Sequence, residues 1–269
     1  MKGVGQREVL RLPSGEELLD SVVVEEPLEI RVADETMAVT MRTPGADREL
    51  AVGFLFAEGV IASLADVGSV SHCGRPDQEG YGNTINLVPG PGVSLDLDRL
   101  SATRRGTLTT SSCGVCGRRS VGDVLERCRA VSPGPIVASA MIATAIDSLR
   151  KQQPNFARTG GIHAAALCDA SGAVLAVFED IGRHNAVDKA VGALFLSGKL
   201  PEAALLVVSG RASFEVVQKA AAAGVRILAS VSAASSLAID LARATDITLC
   251  GFVRGGAMTV YAHPERLGC

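Results

Sequence analysis

The sequence contains no tryptophan, and aromatic residues make up only 3% of it. A core must therefore rest on alanine, valine, leucine and isoleucine. Stacking platforms for single-stranded nucleic acid would need more aromatic side chains than this. Positive charge is not in excess either. The formal net charge is −3, which argues against a protein that coats nucleic acid or lies on a membrane surface. No apolar run reaches the length of a membrane span, and the longest, such as Ala203 to Val208, are strand-sized. Met1 to Arg7 is followed by no apolar signal-peptide block, so a cytoplasmic protein is expected. In that reducing compartment the seven cysteines, an odd number, do not make a disulfide framework. They are buried fillers, metal ligands or reactive thiols, and position has to decide which.

What is present is enough for a folded globular protein: 269 residues, 47% hydrophobic and 20% charged. Residues 29–32 and 36–41 alternate apolar and polar, the period of half-buried strands. Thr43-Pro44-Gly45 breaks the pattern, and a helix carrying Leu50, Phe54 and Leu55 follows, ending near Gly59. Short strands are predicted at 67–70 and 84–88, a turn at 89–92, and an aperiodic basic stretch from Ser101 to Ser112. Val121, Val124, Leu125 and Cys128 mark a helical stripe, and Ile142, Ile146 and Leu149 another. Residues 162–167 and 174–178 flank a turn at Asp169 to Gly172 and read as a hairpin. Helices near 186–196, 214–223 and 237–244 then alternate with strands at 205–208, 226–229 and 247–250, with a last strand near 258–261. This alternation predicts an α/β layered domain over 121–269, preceded over 1–120 by a smaller β-rich part.

The sharpest local signal is Ser112-Cys113-Gly114-Val115-Cys116-Gly117, just before a predicted helix. A helix dipole and nearby cations both favour the thiolate, and Arg104, Arg105, Arg118 and Arg119 flank the pair. Such a thiolate can attack a sulfur donor, carry the sulfur as a persulfide and present it to an acceptor, with the second thiol resolving or sharing the load. A zinc site would need another pair of ligands, and His72-Cys73 is some way upstream. A zinc nucleobase deaminase would need a Glu in His-x-Glu, where this chain has His163-Ala164-Ala165 after its cysteines. A thioredoxin-type pair belongs directly after an early strand in a βαβ context that is missing here. The pair alone leaves sulfur or redox chemistry and structural metal both open. Cys73, Cys128, Cys168, Cys250 and Cys269 need no function, and most of them read as packing residues.

A second signal is the polar run Glu179 to Lys189, delivered by a strand to a helix start, where α/β proteins bind ligands. A capped, solvated helix start, with Asn185 or Asp180 as the cap, accounts for the same residues. It is preferred on chemistry alone, because polar loops far outnumber active sites. Ser209-Gly210-Arg211 and Gly251 to Gly256, with Arg254, are two further strand-end turns that combine glycine with arginine. Together with Gly160 to His163 they suggest a site for a phosphate-bearing ligand, although they read equally well as separate turns.

Taken together, these motifs resemble the formate dehydrogenase accessory sulfurtransferases, the FdhD family. The matching residues are Met41-Arg-Thr-Pro-Gly45, Glu49-Leu-Ala-Val-Gly-Phe-Leu55 with Glu58-Gly59, Ser112 to Gly117, Thr159 to His163, Glu179 to Lys189, Ser209 to Arg211 with Ser213-Phe-Glu215, and Gly251 to Arg254. The resemblance implies a cytidine-deaminase-like main domain without zinc chemistry, no structural metal, and a homodimer. It implies a sulfurtransferase that takes persulfide sulfur from a cysteine desulfurase. The sulfur then passes to the molybdenum (or tungsten) bis-guanine-dinucleotide cofactor, which formate dehydrogenase requires. By the same resemblance Cys113 is the persulfide position and Cys116 its partner. The stretch Phe252, Val253, Arg254, Gly255, Gly256 and Ala257 is cofactor-binding, and Arg183, His184 and Arg211 complete a cradle for the cofactor's pyrophosphates. A non-catalytic chaperone that binds and delivers the cofactor is the alternative, and a structural zinc protein a third reading.

Overall fold

The structure, a computed structural model, describes residues 3–74, 77, 81–97, 130–134 and 136–268. The chain opens with an antiparallel ribbon, β1 (Val4–Arg11) and β2 (Glu16–Val23), whose strands pair only with each other. Next come β3 (Glu26–Val32), β4 (Glu35–Arg42), helix α1 (Asp47–Ala57), β5 (Val67–His72) and β6 (Thr84–Pro89). Those four strands form a sheet in the order β4-β3-β6-β5. The opening ribbon has no counterpart among the expected elements. Among the described residues no side chain of the ribbon belongs to a buried core cluster, its burial shows no clean alternation, and Leu10, Leu12 and Leu19 are exposed.

The second half holds β7 (Val137–Ala138), α2 (Ser139–Lys151), α3 (Pro154–Thr159), β8 (His163–Cys168) and β9 (Val174–Asp180). It continues with α4 (Arg183–Leu196), β10 (Leu205–Val208), α5 (Phe214–Ala222), β11 (Ile227–Ser230), α6 (Ser236–Ala244), β12 (Thr248–Arg254), β13 (Ala257–Ala262) and β14 (Leu267–Gly268). A six-stranded sheet runs β13-β12-β11-β10-β8-β9. Strands β10, β11 and β12 are parallel, and β8 lies antiparallel between β9 and β10. Both faces are covered. Ala164, Ala166, Cys168, Leu205 and Val207 pack with Ile142, Ile146 and Leu149 of α2. Ala165, Leu167, Leu206 and Val208 pack with α4, α5 and α6. Two-sided burial explains why these strands read as continuous apolar runs.

The core on the α4 side runs on into the first half through Leu28, Ile30, Leu50 and Leu55. Helix α1 lies directly on α4, and each contributes a glycine at the crossing. A β-carbon on Gly53 would stand 1.9 Å from the Asp188 carbonyl oxygen, and one on Gly192 would stand 1.9 Å from that of Glu49. Among the described residues no helix is long and apolar enough to cross a membrane. The boundary at residue 120, the basic stretch 101–112 and the stripe Val121 to Cys128 lie outside the described residues.

Candidate functional site

Strand directions bring several functional side chains to one edge of the sheet. The parallel strands β10, β11 and β12 end there, as does β9, while the reversed β8 begins there. An edge where strand order reverses is where open α/β sheets bind ligands. It gathers His163 at the start of β8, Asp180 to His184 between β9 and α4, Ser209 to Ser213 between β10 and α5, and Ser230 to Ser232 after β11.

The His163 ring lies against Gly210. A β-carbon on Gly210 would meet Nδ1 at 3.2 Å and the Arg183 β-carbon at 3.6 Å. The Gly210 carbonyl is held by the Ser230 hydroxyl, which donates to it at 2.6 Å. Burial, reinforced by the nearby charges of Arg183 and His184, holds the His163 pKa below the usual imidazole value, so the ring is neutral at pH 7. Arg183 Nε is buried and has no hydrogen-bond partner among the described residues. Arg211 stands exposed on the adjoining turn. A guanidinium with unspent donors beside a second arginine suits an anionic ligand.

His184 Nε2 lies 2.7 Å from Glu215 Oε2 and 3.1 Å from Ser213 Oγ. Burial raises the Glu215 carboxyl, but the hydrogen bond from His184 and the charges of His184, Lys219 and Arg183 together outweigh it, and the pKa falls below the usual value. Serine and carboxylate share one ring nitrogen, so a serine–histidine–carboxylate relay, which needs both nitrogens, is ruled out.

The run Glu179 to Lys189 is not solvated, which corrects the reading preferred on chemistry alone. Asp180 is 0% exposed, and Asp188 and Lys189 are each 2% exposed. The N-cap is Gly182, without a side-chain cap. Asp180 instead accepts from the Gly182 amide (2.8 Å), Asn185 Nδ2 (3.1 Å), Lys189 Nζ (2.6 Å) and the Thr43 amide (3.2 Å). Asn185 Nδ2 also donates to the Met41 carbonyl at 2.8 Å. Glu179 accepts from the amides of Asn155 and Phe156 at the start of α3. Deeper in, Lys219 Nζ meets Asp188 Oδ1 at 2.6 Å. Burial pushes the Asp188 carboxyl up to about 6 against the pull of Lys219. Asp188 lies in the run marked as polar, but nothing in the sequence pairs it with Lys219, which is 31 residues further on.

Strands β12 and β13 close with Arg254 opposite Ala257 and a two-residue turn at Gly255 and Gly256. Both glycines have positive φ, 57° and 83°, as a type I′ hairpin turn requires. Phe252 also has positive φ (52°), is 53% exposed, and donates its amide to the Ser232 carbonyl at 3.0 Å. Arg254, Gly255, Gly256 and Ala257 are exposed, whereas the Val253 side chain is buried in the core. Of the expected cradle, the fold therefore groups Arg183 and His184 around His163 and Gly210, with Arg211 in the adjoining turn. The hairpin stands two strands away, linked through the segment Ser230 to Ser232.

Cys113 and Cys116, with Arg104, Arg105, Arg118 and Arg119, lie outside the described residues, as do Cys128 and Cys269. Cys168 and Cys250 are buried packing residues whose thiols burial pushes up to about 12. Cys73 is partly exposed. Among the described residues no three His, Cys, Asp or Glu side chains are grouped to hold a metal ion.

The chain is similar to known proteins in sequence and, in one solved structure, in fold. The "Sulfur carrier protein FdhD" of Anaeromyxobacter sp. (strain K) is 55% identical, across 98% of this chain and 94% of its own length. That of Mycobacterium tuberculosis is 50% identical across 92% of each chain. A crystal structure from Desulfotalea psychrophila, described as a candidate formate dehydrogenase accessory protein, superposes with a TM-score of 0.74 at 25% identity, across 98% of both chains. The profile of the FdhD/NarQ family matches residues 23 to 268, and this chain belongs to that family.

Proposed function

We propose that the chain is a sulfurtransferase serving formate dehydrogenase. The Cys113 thiolate attacks the outer sulfur of a persulfide on a cysteine desulfurase. The donor's S–S bond breaks, its thiolate leaves, and Cys113 holds the sulfur as a persulfide with Cys116 beside it. Cys116 then attacks the inner sulfur of Cys113, the persulfide S–S bond breaks, a Cys113–Cys116 disulfide forms, and the hydrosulfide released passes to the acceptor substrate, the molybdenum (or tungsten) bis-guanine-dinucleotide cofactor. The observation that carries this reading is the strand-edge cluster of Arg183, Arg211 and neutral His163, whose buried Arg183 Nε has a donor to spare. That donor set suits a pyrophosphate. The names of the relatives, sulfur carrier proteins, support the transfer itself. The exposed hairpin Arg254 to Ala257, with Phe252 at its base, offers a second surface for the same ligand.

The strand order β9-β8-β10-β11-β12, with β8 reversed, supports the cytidine-deaminase-like layering that the resemblance implies. A homodimer, which rests on the resemblance, and a cytoplasmic location, which rests on the reading of the sequence, belong to the same proposal. The test is intact-protein and peptide mass spectrometry after incubation with a cysteine desulfurase and cysteine. Wild type is compared with Cys113→Ala and Cys116→Ala. A sulfur adduct on Cys113 that Cys113→Ala abolishes is the expected result. An active desulfurase that leaves both thiols unmodified would turn the assignment to a cofactor-binding chaperone.

A further inference from the structure

Thr43 lies in the turn between β4 and α1, 137 residues before Asp180, yet all three of its polar atoms are committed to the segment that begins α4. Its amide donates to Asp180 Oδ2 at 3.2 Å, its hydroxyl oxygen accepts from the Ile181 amide at 3.1 Å, and its carbonyl accepts from Lys189 Nζ at 2.8 Å. A helix start leaves its first amides without partners, and a side-chain cap ordinarily supplies the acceptor. Here the N-cap is Gly182, which has no side chain to offer. The N-cap amide and the one before it are bound from elsewhere: Asp180 accepts from Gly182, and the Thr43 hydroxyl accepts from Ile181, the residue just before the cap. The next two residues along the chain are Arg183 and His184.

We propose that Thr43 is a positioning residue for the anion-facing site, fixing the turn Ile181–Gly182 and with it the direction in which Arg183 leaves the backbone. The proposal rests on the function proposed above. Its physical basis is that two amides at 181 and 182 are tied to two acceptors on different segments, so the peptide between them cannot rotate. Loss of the Thr43 hydroxyl frees the Asp180–Ile181 peptide and loosens the turn from which Arg183 departs. An arginine that has moved off its partner forfeits a charge-assisted hydrogen bond. The N-terminal sheet is then part of the site although none of its residues need touch the ligand.

The experiment uses the full chain and guanosine diphosphate as the probe, because it carries the guanine and pyrophosphate of the acceptor. Dissociation constants from calorimetry and thermal midpoints are compared for wild type, Thr43→Val and Thr43→Ser. Thr43→Val keeps the branched shape and lacks the hydroxyl, and should bind at least about tenfold more weakly, the worth of one such hydrogen bond. Thr43→Ser keeps the hydroxyl and should restore most of the affinity. If Thr43→Val does not fold, Thr43→Cys, with a weaker acceptor, replaces it in the comparison. A lowered midpoint with unchanged affinity overturns the positioning role and leaves a purely structural one. Failure of wild type itself to bind the probe overturns the acceptor reading, and this proposal with it.

Discussion

Replacing Gly53 by alanine should destabilise the protein, although alanine is the better helix former. The added β-carbon would stand 1.9 Å from the Asp188 carbonyl oxygen, where ordinary contact begins at 3.4 Å, so α1 and α4 must separate by about 1.5 Å. The obstructing atom belongs to the α4 backbone, so no side-chain rotation relieves the clash. A gap of that size forfeits much of the dispersion energy between Leu50 and Leu55 on one helix and Val187 and Val191 on the other, all of them buried. Overpacking of this kind costs roughly 1–3 kcal/mol. The helix-propensity gain of about 0.5–1 kcal/mol offsets only part of it. A net loss of about 1 kcal/mol lowers the thermal midpoint by roughly 2–4 °C for a chain of this size. Circular dichroism melting of Gly53→Ala, Gly192→Ala and the double variant is the assay. Because both glycines relieve the same helix separation, the double variant should lose less than the sum of the singles. A rise in midpoint for Gly53→Ala, as propensity alone would require, would refute the close crossing.

Two further outcomes follow from the buried charges and thiols. Lys219→Met removes the partner of a buried carboxylate and should cost about 3–5 kcal/mol at pH 8. The Asp188 pKa, already pushed up to about 6 with Lys219 in place, then rises further. The folded variant therefore binds a proton that the unfolded chain does not hold. Its deficit relative to wild type should shrink as the pH falls from 8 to 5, and urea titrations showing a constant deficit across that range would contradict the buried pairing. Cys168 and Cys250, with thiols pushed up to about 12, should resist alkylation in the native protein at pH 7.5 and react in denaturant. Peptide mass spectrometry reads both states, and native labelling of either residue would contradict its burial.

Much of the fold is legible in the amino-acid sequence itself, for reasons that differ by element. Residues 205–208 and 226–229 are short apolar runs because their strands are covered on both faces, and burial of that kind leaves a local record. The stripe Ile142, Ile146 and Leu149 records one buried helix face in the same way. The ribbon β1–β2 leaves no such record, since its strands are paired with each other and, among the described residues, contribute nothing to a buried core.

The candidate site divides along the same line. Residue type alone marks the arginines, the glycine turns and the run Glu179 to Lys189 as polar and unusual, and family resemblance carries them as far as a sulfur-transfer protein. What that run does is decided by contacts some 140 residues apart in sequence. Thr43 and Met41 occupy the places expected of water, and turn what reads as a solvated helix cap into a buried joint. The glycines at 53 and 192 likewise take their meaning from each other's helix. Local sequence fixes period, burial pattern and chemical type, because those are set by a residue's near neighbours. Which polar groups meet in the interior is settled only when distant segments pack, since an unpaired buried charge costs too much to be left without a partner.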